Sequence, residues 1–261
     1  MLWYKAWLET RSRFLLGVVL VGAVTLFFVA AHPFMIRQWQ SDLVLHPDWP
    51  EPHWFRRALA DYPYFLWHFL FAELLQNAWV LSAVLLGLGG IAQEAVQGTA
   101  GFTLSLPVSR RRLLAVRTVV AGAELVVLGF LPAFLLPLGS ALAGRTYPLG
   151  SGLAHSALMV GGGLGFFGLT VLLASVLRDE HTPMLIGVSA AALLYFVLQT
   201  YADDAVRAPL WARILDLPGL MAGPPDLASP GDVPWAGLLL SLAAATLLLG
   251  ASFHLTLTRD Y

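Results

Sequence analysis

Glu73, Gln76 and Asn77 fall inside an apolar stretch at i, i+3 and i+4. On a helix that spacing places all three on one face. His68 lies about one turn earlier. A charge in hydrocarbon costs at least a few kcal/mol, so such a face must meet protein or water. One use is the polar lining of a substrate path, or of a seam between two copies of the chain. The other is hydrogen bonding between helices that fixes their packing, worth about 0.6 kcal/mol per contact. Packing is the reading for Gln76 and Asn77; for Glu73 both uses stay open. Glu124 lies in a later apolar stretch, near enough to its boundary to snorkel or to pair with Arg117.

A second group of polar residues runs from 93 to 112. Glu94 directly follows an apolar run, and Gly98 and Gly101 permit a sharp change of direction. A short semi-apolar stretch ends at Pro107, which cannot continue a helix that needs its N–H. Ser109 is well placed to cap the helix that follows, and Arg110, Arg111 and Arg112 come next. Three arginines beside a span hold a loop on the cytoplasmic side. That role does not account for the order of the residues before them.

Catalytic patterns are missing. There is no His-Glu-x-x-His and no Gly-x-Ser-x-Gly. The seven histidines are dispersed, and the absence of cysteine excludes thiol chemistry and Cys-based zinc sites. No metal-ligand pattern is expected. Lys5 is the sole lysine and no glycine precedes it, so the chain holds no Walker A loop.

These groups must be held by elements that suit lipid. The 261 residues are 58% hydrophobic and 12% charged, with a mean hydropathy of +0.72. A soluble domain carries roughly 25% charged residues, so lipid must be the solvent for most of the chain. The net charge of −1 gives no basic field for nucleic acid. A span needs about 20 apolar residues. Six stretches qualify, near 14–31, 64–91, 119–138, 153–177, 184–200 and 235–257. The first is longer than a signal h-region of about 7–15 residues, so a retained helix is expected. Crowded glycines in the fourth stretch include Gly161 and Gly165, a small-x-x-x-small pair suited to close packing within the chain. Pro132 and Pro137 are expected to bend the third.

Orientation follows from the cations. With the N-terminus inside, Lys5, Arg11, Arg13, Arg110, Arg111, Arg112, Arg117, Arg178 and Arg259 are cytoplasmic. Arg37, Arg56, Arg57, Arg145, Arg207 and Arg213 are then spread over the outer loops with most of the acids. The fold class is therefore all-α and polytopic, one membrane domain over 1–261 with both ends inside. Residues 2–13 read as an interfacial helix. Lys5, Glu9 and Arg13 lie on one face, Trp3, Tyr4, Trp7 and Leu8 on another, and a bend near Phe14 leads into the first span. Long outer loops are expected over 33–63 and 201–234, with a short interfacial helix near 208–216 as one option.

Gln93-Glu94-x-x-Gln97-Gly98-Thr99, followed by Leu104-Ser105-Leu106-Pro107-Val108-Ser109-Arg110, resembles the first cytoplasmic loop of ABC transporter permeases of the second exporter class. The resemblance implies six spans, an N-terminal elbow helix and a coupling loop that docks on a separate ATP-binding subunit. It implies that Gln93, Glu94, Gln97, Gly98, Thr99, Leu106, Pro107, Ser109, Arg110, Arg111 and Arg112 transmit nucleotide-driven motion. Arg178, Asp179 and Glu180 are similar to the family's smaller cytoplasmic contact. The implied unit is two permease chains and two ATPase subunits in the cell membrane of a bacterium or archaeon, with ATP and Mg held by the ATPase. This chain is then not itself an enzyme. An ion-driven secondary transporter is a rival, although no repeated halves or matching broken helices are evident. An intramembrane enzyme is the other rival. No cargo is identified by the sequence.

Overall fold

α1 (Leu2–Leu45) is one helix of 44 residues. At 1.5 Å per residue it is about 66 Å long, roughly twice the thickness of a bilayer's hydrocarbon core. Residues 2–13 and the first apolar stretch thus join without a helical break at Phe14. The helix also continues through Pro33 into the segment expected to be a loop. Met35, Ile36 and Trp39 explain the extension: at i, i+1 and i+4 they pack against the core. The computed structural model describes residues 2–46, 53–89, 94, 98, 108–177, 179, 181–199, 209, 216–227 and 232–258.

Two short helices follow, α2 (His53–Ala60) and α3 (Tyr62–Leu66). Asp61 caps α3 by accepting from the Tyr64 N–H, and Pro63 sits in the first turn, where its missing N–H costs nothing. Trp39 anchors this region on α1, with ring centroids 5.2 Å from Phe55 and 5.3 Å from Phe69. The outer loop expected over 33–63 is therefore largely helical.

The chain then runs through an eight-residue π-helix, Trp67–Leu74, into α4 (Leu75–Gly87). The remaining elements are α5 (Arg110–Leu142), α6 (Leu149–Val176), α7 (Thr182–Gln199), the short α8 (Leu217–Ala222) and α9 (Trp235–Thr258). Pro132 and Pro137 both lie within an unbroken α5. Trp211, Ile214 and Leu215 of the optional interfacial helix lie outside the described residues.

Five helical stretches are long and apolar enough to cross a membrane: Leu2–Leu45, Tyr62–Gly87, Arg110–Leu142, Leu149–Val176 and Trp235–Thr258. α7 is apolar but shorter. The chain is thus an all-α protein with five candidate membrane-spanning helices.

Contacts fix the directions of the helices. Gly17 faces Leu128, Gly22 faces Leu131 and Leu135, and Gly139 faces Leu26 and Val29, so α1 and α5 run parallel. Gly129 meets Val160 and Gly152 meets Ala133, so α6 runs against α5. Gly161 meets Leu238 and Gly168 meets Ala245 and Leu248, so α9 runs with α6. Ser241 donates to the carbonyls of Gly161 and Gly162, and Ser252 donates to Val171 O at 3.3 Å. Small residues let these two helices approach, and hydroxyl groups then bond across the seam.

The glycine packing differs in detail from the expected Gly161–Gly165 pair. A side chain on Gly165 would meet open space. Gly161 and Gly168 instead admit α9, Gly162 admits Leu220 and Met221 of α8, and Gly163 admits the Trp79 ring of α4. One run of glycines thus receives three different elements.

Candidate functional site

The starts of α1 and α5 and the end of α4 meet at one end of the bundle, and an ionic network joins them there. Lys5 and Glu9 pair along α1 at 3.5 Å. Glu9 Oε2 reaches Arg117 Nη2 of α5 at 2.8 Å. Arg117 Nη1 also lies 3.5 Å from Glu94 Oε1, and Lys5 Nζ lies 4.0 Å from the same atom. Two cations and two carboxylates therefore alternate in a closed ring. Each member is largely shielded: side-chain exposure is 13% at Glu94, 22% at Arg117, 26% at Glu9 and 34% at Lys5. Exposed ion pairs contribute about 0–1 kcal/mol each. A shielded network couples more strongly, because each charge is held by more than one partner in a lower dielectric.

Two further bonds tie α1 into this end. Arg13 Nη1 donates to Leu88 O at 2.7 Å, just past the end of α4. Thr10 Oγ1 donates to Glu124 Oε1 at 2.8 Å, with both residues buried. The expected Glu124–Arg117 pair is thereby corrected. The parallel packing of α1 and α5 places Thr10 opposite Glu124, and Arg117 turns to Glu9 and Glu94 instead. Beside Arg117, Gly89 adopts φ +106°, in a conformation that disfavours a side chain.

Glu94 is the residue of the 93–112 loop that enters the ring. Gly98 forms a turn at φ +74°, as its place in the sequence suggests. Gln93, Gln97, Thr99, Leu106 and Pro107 lie outside the described residues. Ser109 is extended at φ −65° and ψ 143°, and its Oγ accepts from the Arg112 N–H at 3.3 Å, the cap expected for α5. Ser109→Ala is expected to lower stability by about 1 kcal/mol. Thermal unfolding in detergent measures this, and an unchanged midpoint would show the cap to be dispensable.

Arg110 is half-buried, and Arg111 and Arg112 are exposed. The first turn of α5 holds no acid. Cations at a helix N-terminus oppose the helix dipole. Their placement therefore costs helix stability.

At the second predicted contact, Asp179 Oδ2 accepts from the Thr182 N–H at 2.8 Å and from the Thr182 hydroxyl, holding the start of α7. Arg178 and Glu180 lie outside the described residues. This corner is at the same end of the bundle as the ring. Gly87 at the end of α4 meets Phe167 and Thr170 of α6, and Gly187 of α7 meets Thr170 and Val84.

The intramembrane polar group is divided. Gln76 is buried and donates to Ala72 O at 3.0 Å, one turn back in its own helical stretch and not across to another helix. Glu73 and Asn77 are exposed on the surface of the chain. Asn77 Nδ2 donates to Glu73 O at 2.9 Å, and the Tyr195 hydroxyl of α7 donates to Glu73 Oε2 at 3.2 Å. Of the three residues expected on one face, Glu73 and Asn77 share an exposed face and Gln76 is buried; Glu73 belongs to the π-helix and the other two to α4. Bonding from i to i+5 widens the turn and changes its register against α4. His68 lies elsewhere, stacked at 4.6 Å on Trp54.

At the opposite end, Arg57 Nη2 bonds both carboxylate oxygens of Asp226, at 2.5 and 2.6 Å. That hydrogen bond raises the Arg57 guanidinium above its ordinary value. Trp67 Nε1 donates to Gly223 O at 3.0 Å. His155 Nδ1 lies 3.0 Å from Ala222 O. α8 is thereby fastened over the π-helix and α6. A cavity of about 390 Å³ opens there among Asp216, Gly219, Gly223 and Asp232. Asp216 is already engaged, accepting from the Gly219 N–H at 2.9 Å to cap α8.

Sequence reasoning did not anticipate Thr10 or Tyr195. A hydroxyl in an apolar helix bonds its own backbone as readily as a distant partner, so neither residue stands out before the helices are paired. Among the described residues, no group of His, Asp or Glu is gathered so as to hold a metal ion. No family model matches the sequence, and no curated protein or solved structure matches the chain.

Proposed function

We propose that this chain is the membrane-spanning permease subunit of an ATP-driven exporter of the ABC type. In this reading α7 is a sixth span, both ends are cytoplasmic, and the ionic ring lies on the cytoplasmic side. Two copies work with two ATP-binding subunits, which hold ATP and Mg and carry out hydrolysis. The membrane is the cell membrane of a bacterium or archaeon.

The observation that carries the reading is the ring itself. Glu94, at the base of the 93–112 loop, is joined through Arg117 to α5 and through Lys5 to α1. A force applied to this loop therefore reaches α4, α5 and α1 together. Packed helices move as rigid bodies between discrete arrangements, and a loop so tied is mechanically suited to tilt all three. The alternating directions of the long helices and the exposed Arg111 and Arg112 in the first turn of α5 fit a cytoplasmic docking face.

The test is purification of the tagged full chain from its native membrane in mild detergent, with partners identified by mass spectrometry. A stoichiometric polypeptide bearing a Walker A loop is expected. It should be lost when Arg110, Arg111 and Arg112 are all changed to alanine. A chain that purifies alone with full transport activity would overturn the proposal and return the ion-driven transporter to first place.

A further inference from the structure

We infer that Glu73 is the anchor of a binding site for amphipathic organic cations, which places the cargo of the proposed exporter in that chemical class. This inference rests on the permease reading for its purpose, but not for its geometry. Glu73 is the twelfth of the 26 residues in the Tyr62–Gly87 span, close to its midpoint. It lies on the outer surface of the chain rather than in the core. Among the described residues its side chain has one partner, the Tyr195 hydroxyl, and no cation lies within ion-pair distance. A carboxylate at that depth is costly unless something compensates its charge.

The surroundings select the compensating group. Leu74, 44% exposed, follows Glu73, and Phe196, 66% exposed, has its ring centroid 6.0 Å from that of Tyr195. An apolar, aromatic flank with one carboxylate suits a ligand that has an apolar body and a single positive charge. Tyr195 and Asn77 hold the carboxylate and its backbone carbonyl from either side. Glu73 lies in the last turn of the π-helix, and such irregular turns are common at functional sites. A second copy of the chain is a poorer occupant. A two-fold axis through this face would set one Glu73 against the other, and like charges so close disfavour ionisation of both.

The test uses the full chain in phosphatidylcholine nanodiscs, without an ATPase. Tetraphenylphosphonium and tetraphenylborate are nearly the same shape and differ in the sign of their charge. Saturable binding of the cation and none of the anion is expected. Glu73→Gln should weaken cation binding roughly tenfold or more, the loss of a charge-assisted contact. Glu73→Asp should keep most of it, and Tyr195→Phe should weaken it about threefold. Equal binding of the two ions by the wild type, or no binding of the cation, overturns the inference without any variant. Unchanged binding by a folded Glu73→Gln chain does the same. If the cation binds and no ATPase co-purifies with the chain from its native membrane, the permease reading fails and the site stands. An ATPase partner on a chain that binds neither ion would sink the site and leave the permease reading.

Discussion

Replacing Arg117 with alanine is expected to destabilise the chain by about 1–3 kcal/mol and, in the exporter proposed above, to uncouple transport from ATP hydrolysis. Arg117 holds Glu9 at 2.8 Å and Glu94 at 3.5 Å. Without it, both shielded carboxylates lose a cation. Removing one partner of a fully buried pair costs about 3–5 kcal/mol. Exposed pairs are worth about 0–1 kcal/mol, and this ring lies between those limits. Glu9→Ala should cost less, because Arg117 keeps Glu94. The double variant should be clearly less destabilised than the sum of the two singles, since the residues share partners. Strict additivity would mean that the ring does not exist as an energetic unit.

The functional half of that prediction separates coupling from docking. The ring ties the loop's base to α1 and α5, whereas the exposed Arg111 and Arg112 sit where a partner would touch. Arg117→Ala should therefore retain the ATPase subunit and lose most of its transport, about tenfold. The triple alanine change at 110–112 should lose the subunit itself. Joint loss of the subunit in both variants would place Arg117 in the docking surface and remove its role as a mechanical link. Exchanging the two charges (E9R with R117E) should not rescue stability, because it sets like charges beside Lys5 and beside Glu94.

What could be read from the sequence follows from which forces are local. Long apolar runs announce their spans by composition alone, and the Tyr62–Gly87 stretch, α5, α6 and α9 lie within a few residues of their expected places, apart from the extra turns that begin α5. The Ser109 cap was readable because a cap needs only the residues beside it. α1 was harder. Pro33 signals a helix stop in water, yet the helix passes through it because Met35, Ile36 and Trp39 find partners beyond. The π-helix could not be read either, since its residues have the same apolar pattern as an α-helix. Glu124 stood out as an acid in an apolar stretch, expected to snorkel or to pair with Arg117, and it does neither. Its true partner, Thr10, is 114 positions away, and only the parallel packing of α1 on α5 brings the two together. For the ring, each charge was visible but the closure was not, because it depends on three helices meeting at one end.

The second large effect is expected at Gly163. Trp79 is fully buried, and two glycines on different helices make room for its indole: Gly129 of α5 and Gly163 of α6. A methyl group on Gly163 would fall inside the ring, so Gly163→Ala forces either the indole or α6 to move. Overpacking of this kind costs about 1–3 kcal/mol. A rigid ring offers few ways to relax, so the upper part of that range is expected. The midpoint of thermal inactivation in detergent should fall by several degrees. Trp79→Leu alone leaves a cavity and is also destabilising, but combined with Gly163→Ala it should recover part of the loss, because the smaller side chain vacates the space the methyl needs. The same joint bears on transport. Trp79 lies between Glu73 on one side and Glu94 on the other, and it locks α4 to both α5 and α6. If the loop drives the bundle as a rigid lever, loosening this joint must weaken the link between the two sites. Tetraphenylphosphonium binding by the double variant should then persist while its dependence on ATP is reduced. A Gly163→Ala chain as stable as the wild type would show that α6 can give way at this point, and the lever would have to be sought elsewhere.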